Sequence, residues 1–115
     1  MAMMRKYKKN IACLEGEWSR SPRETLSVRP LLDLVETANA VDVYYRRVAT
    51  RTELVYHLDR LKSLKSYEII YFSNHGDPGS IWLSEDEQMT LEDLAAAMGT
   101  GFRDRIIHFG ACVQR

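Results

Sequence analysis

The chain lacks a surplus of charge of either sign. Sixteen Lys and Arg balance sixteen Asp and Glu, so no overall field would hold it on nucleic acid or an anionic membrane. The one basic cluster, Arg5, Lys6, Lys8 and Lys9, reads as a solvated leader before the first strand. No apolar run approaches the roughly 20 residues of a membrane span. The stretch after Lys9 is interrupted by Glu15 and Glu17, too soon for a signal peptide. Cysteine is scarce as well. Cys13 and Cys112 are the only two, too few for a disulfide framework. Both lie in apolar segments, as free thiols of reduced proteins do. The chain is therefore expected to be cytoplasmic, with neither nucleic acid nor membrane as partner.

Repeats, low-complexity tracts and a Gly-rich strand-to-helix loop are absent too. Ser19, Arg20, Ser21 and Pro22 follow the first apolar segment where such a loop would stand, which argues against nucleotide binding. His75, His108, Cys13 and Cys112 show neither C-x-x-C nor H-x-x-x-H spacing, so no metal is expected.

What is present is alternation of strands and helices within a single domain covering all 115 residues. The segments 10–18, 41–48 and 67–74 read as strands, being rich in β-branched, aromatic and other apolar residues. The segment 105–112 reads as a fourth, buried strand. A helix after Ser27 carries Pro30 in its first turn and should bury Leu31, Leu34, Val35 and Ala38. Thr50 and Glu53 form a T-x-x-E capping box before a helix whose Leu54, Leu58, Leu61 and Leu64 share a face. Asp77, Pro78 and Gly79 make a turn, and Ser80 to Leu83 a short hairpin strand. Thr90 caps a last helix that ends at Gly99. The expected fold is an α/β three-layer sandwich with a mainly parallel four-stranded sheet.

In such a sheet, chemistry gathers at the carboxyl ends of the strands. His75 directly follows the third strand and Cys112 ends the fourth. A thiol at one strand end and an imidazole at the next can divide nucleophilic and acid–base work. Gly76 leaves a backbone N–H open to a bound carbonyl, and the N–H of Cys112 is a second donor. His108 lies four residues before Cys112, about 13 Å along a strand, and His57 falls beside the apolar stripe of the second helix; neither suits the thiol.

The apolar strand ending in Ser73-Asn74-His75-Gly76, followed by one ending in Ala111-Cys112, resembles the caspase-like cysteine peptidases. Gly110 and Val113-Gln114-Arg115 depart from true caspases, so the chain is more similar to the bacterial CHAT members. The resemblance implies a peptidase with His75 and Cys112 as dyad, Gly76 and Cys112 as oxyanion hole, a protein or peptide substrate and no cofactor. It places Arg20 and Arg23 near the first substrate pocket. It also implies that the chain corresponds to the amino-terminal portion of a larger peptidase fold. The fourth strand would then be an open edge, pairing along Arg105 to Cys112 with a second copy or a carboxyl-terminal subunit. The other expectation is a catalytically inactive caspase-like scaffold that binds a partner protein.

Overall fold

The structure is a computed structural model and describes residues 10–17, 29–39, 41–110 and 112–113. Its centre is a fully parallel sheet of four strands: β1 (Ile11–Glu15), β2 (Val43–Arg47), β3 (Ile69–Ser73) and β7 (Ile106–Phe109), in the order β2-β1-β3-β7. Between them run α1 (Arg29–Asn39), α2 (Arg51–Ser63) and α3 (Leu91–Met98). None of these helices is long and apolar enough to cross a membrane.

Local chemistry explains the helix ends. The Glu53 N–H donates to Thr50 Oγ1 at 3.1 Å, and Glu53 Oε1 accepts from the Thr50 N–H at 3.3 Å. The capping box thus satisfies donors that the first turn leaves open. Thr90 caps α3 in the same way, accepting from the Asp93 N–H at 3.0 Å. Gly99 closes α3 at φ 56°, a left-handed conformation suited to glycine.

One face of the sheet carries the core. Ala12, Leu14, Tyr44, Ile70 and Phe72 pack there against Leu54, Leu58 and Leu61 of α2 and Leu94 of α3. The alternate residues of β1 face the other way. On that second face the Arg29 guanidinium of α1 lies 4.7 Å from the Tyr45 ring centre. The face that α1 buries differs from the expected one. Leu32 is buried, while Leu31 and Leu34 are each 63% exposed. The i, i+3, i+4 spacing located the helix, but its rotation about its own axis was off by about one residue.

The largest departure concerns the chain after the third strand. It forms a second four-stranded sheet from β4 (His75–Asp77), β5 (Ser80–Ser84), β6 (Glu87–Thr90) and β8 (Cys112–Val113), in the order β6-β5-β4-β8. Ile81, Leu83 and Met89 of this sheet join the main core. The expected single strand over 105–112 is therefore two. β7 stays at the edge of the main sheet, with Ile106 52% and Phe109 43% exposed, and β8 enters the second sheet. Its apolar composition reads as burial, yet β3 flanks β7 on one side only.

Candidate active site

Two strands cross together from the first sheet into the second. β3 continues through Asn74 into β4, and β7 continues past Gly110 into β8. In the main sheet Phe72 is the register partner of Phe109; in the second sheet His75 is the register partner of Cys112. Each partner lies 37 positions later, so the parallel register passes the crossing without a slip. Gly110 makes the crossing possible for β7, because a side chain there would run into the Tyr71 ring. Its N–H donates to the Phe72 carbonyl at 2.9 Å, extending the ladder to the end of β3.

Asn74 holds the other crossing. It is 1% exposed, and its Nδ2 donates to the Trp82 carbonyl at 3.4 Å. Gly16 lies against it: a Cβ there would come within 2.6 Å of that Nδ2 and 2.9 Å of the Leu83 carbonyl oxygen. The Glu17 N–H donates to the same Leu83 carbonyl at 2.8 Å. The end of β1 is thereby fastened to the second sheet.

Beneath this rim lies a carboxylate that the sequence did not flag. Glu15 ends β1 with no exposed surface. The Ser73 hydroxyl donates to its Oε2 at 3.2 Å, and the Tyr45 hydroxyl donates to its Oε1. A buried charge is tolerable when its oxygens are hydrogen-bonded in this manner. The network links the carboxyl ends of β1, β2 and β3. An acidic residue closing an apolar strand was the available signal; Ser73 is its register partner on β3, while Tyr45 stands two places before its register partner Arg47 on β2.

His75 is half-buried at the start of β4. Across the antiparallel side its register partner is Trp82 of β5, and Trp82 in turn faces Gln88 of β6. One transverse row therefore runs Cys112, His75, Trp82, Gln88. The Trp82 indole N–H donates to Asp77 Oδ2 at 2.6 Å. Gly76 is buried, with Ile81 and Val113 as register partners.

The remaining histidines and cysteine sit elsewhere. His108 stacks on Tyr71 in the main sheet, ring centres 5.2 Å apart. His57 Nδ1 lies 2.8 Å from the Tyr44 hydroxyl oxygen. Burial lowers its pKa, and the Arg46 and Arg60 cations lower it further against the opposing effect of Glu53. Cys13 is a free, fully buried thiol on β1. Burial, reinforced by the Glu15 charge, pushes its pKa up to about 12, which removes it as a nucleophile near neutral pH. Arg20 and Arg23 lie outside the described residues. Among the described residues, no group of three or more His, Cys, Asp or Glu side chains converges as a metal site would.

Residues 8–114 match the model of a family described as a family of unknown function, DUF6642. The chain belongs to that family. No curated protein matches the chain. Within DUF6642, then, this member carries His75 and Cys112 on adjacent strands and in one register row.

Proposed function

We propose that this DUF6642 member is a cysteine endopeptidase of the caspase-like type, with Cys112 as nucleophile and His75 as its acid–base partner. The supporting observation is the direct pairing of the two residues across parallel strands. Residues opposed in register carry their side chains to the same face of a sheet as a rule. That rule would bring thiol and imidazole within reach of a shared proton. His75 takes the proton of the Cys112 thiol, and the resulting thiolate attacks a peptide carbonyl carbon. The tetrahedral oxyanion is held by the N–H groups of Gly76 and Cys112. As the C–N bond breaks, His75 returns the proton to the leaving amine. Water then hydrolyses the acyl-enzyme with His75 as base. No metal or organic cofactor enters this cycle, and the substrate is a protein or peptide. A reduced compartment such as the cytoplasm suits a reactive thiol and the free thiol of Cys13.

Alkylation tests this reading. With Cys13 silenced by burial, iodoacetamide near pH 7 should label Cys112 ~10-fold faster than a free-thiol standard. His75→Ala should return the rate to that of the standard. Equal, slow labelling of both proteins rejects the dyad.

A second reading is favoured by the exposed edge of the main sheet. Ile106, His108 and Phe109 of β7 are all exposed. An open strand of this kind is a template for pairing. The alternative is thus a non-catalytic caspase-like scaffold that binds a protein along Arg105 to Cys112, a second copy or a carboxyl-terminal subunit included.

A further inference from the structure

Neither Trp82 nor Asp77 belongs to the dyad, yet both are built around one member of it. We propose that Asp77 and Trp82 are positioning residues that clamp the His75 imidazole beside the strand of Cys112. The inference deepens the peptidase reading and rests on it.

The clamp follows from three observations. First, Trp82 is the register partner of His75 in the antiparallel β4–β5 pair. The Cβ atoms of such partners lie about 5 Å apart, so Trp82 is placed beside His75 on the strand opposite that of Cys112. Second, that indole is fixed at both ends. Its backbone neighbours Ile81 and Leu83 are buried in the core on the other face of β5. Its N–H is held by Asp77 Oδ2 at 2.6 Å. Third, Asp77 stands two residues after His75 on the same strand. It therefore shares the face of His75. Beyond it the next row is closed by Ser80, which faces Asp77 and whose Oγ accepts from Gln88 Nε2 at 2.7 Å.

Each residue has its own part. The indole is a rigid wall that stops the imidazole from swinging away from β8. The Asp77 carboxylate anchors that wall.

Nuclear Overhauser contacts between the His75 ring protons and the Trp82 indole in the full chain read the clamp without requiring turnover. His57→Gln and His108→Gln assign the other two imidazoles. Asp77→Asn keeps the shape of the side chain and removes its charge. It should move the Trp82 indole N–H resonance and slow Cys112 alkylation ~3-fold. Trp82→Ala should slow it further, and Trp82→Phe, which restores the wall without the N–H, should recover most of the rate. Should Trp82→Ala fail to fold, the pair of Asp77→Asn and Trp82→Phe decides the matter through the same contacts and rates. Absence of those contacts in the wild type, or alkylation unchanged in folded Trp82 variants, overturns the clamp. Contacts that are present while alkylation ignores His75→Ala overturn the dyad instead, leaving the clamp as a holder of the ring alone.

Discussion

β3 and β7 are neighbours of nearly the same composition, Ile-Ile-Tyr-Phe-Ser against Ile-Ile-His-Phe. Their fates differ. Ile70, Phe72 and Ser73 of β3 are buried, whereas no residue of β7 is and Ile106, His108 and Phe109 are all exposed. β3 has β1 on its other side, while β7 has no further strand among the described residues. Composition thus identifies a strand, but rank within the sheet decides burial, and rank is a property of the whole topology.

The stacked rings that join the two strands offer the strongest way to break this contrast. Phe72 and Phe109 lie in register with ring centres 5.1 Å apart. Phe72→Ala should cost ~3–5 kcal/mol in urea unfolding, through a cavity in the core. Phe109→Ala should cost about 1 kcal/mol or less, because that ring is already half in water. Equal losses would mean that β7 is covered in solution.

Alkaline unfolding sharpens the same comparison at the interior strand β1. The Cys13 thiol has its pKa raised from 9.0 to about 12 in the folded chain. The folded state therefore holds a proton that the unfolded chain releases above pH 9.0. Stability contributed by the neutral thiol is full below pH 9.0 and is lost as pH rises toward about 12. Cys13→Val should flatten this part of the stability profile. A profile identical to that of the wild type would show that the thiol is not sequestered.

The smallest expected change in stability is at the edge. Ile106→Lys places a charge on an exposed strand and should alter unfolding by no more than about 0.5 kcal/mol. Its effect should appear in light scattering, as loss of whatever self-association the wild type shows along β7. A stable dilute wild-type monomer would remove the second copy as the occupant of that edge.

Much of this architecture was legible in the residues. Thr50 with Glu53, Thr90 and Gly99 fixed helix ends through local hydrogen bonds, which depend on near neighbours only. The interior strands announced themselves by β-branched and aromatic runs. What stayed hidden depends on distant partners. The rotation of α1 that buries Leu32 rather than Leu31 and Leu34 is set by how the helix docks on the sheet, where Arg29 lies over Tyr45. The split of 105–112 into β7 and β8 needs the second sheet to exist, and only a short hairpin strand hinted at that. His75 and Cys112 could be picked out because each ends an apolar run. Trp82 and Glu15 could not, since their neighbours are assembled by register from remote segments.

The shared crossing of β3 and β7 makes the chemistry proposed for residues 75 and 112 a passenger of an alignment set several residues earlier. Had β7 docked one position out of step, Ala111 or Val113 would stand opposite the imidazole, and each neighbour on that strand would swap faces. The tuning fork of this molecule is accordingly the aromatic pair and the bare glycine upstream. Sequence changes there would disturb the proposed pairing of His75 with Cys112 while leaving both residues in place.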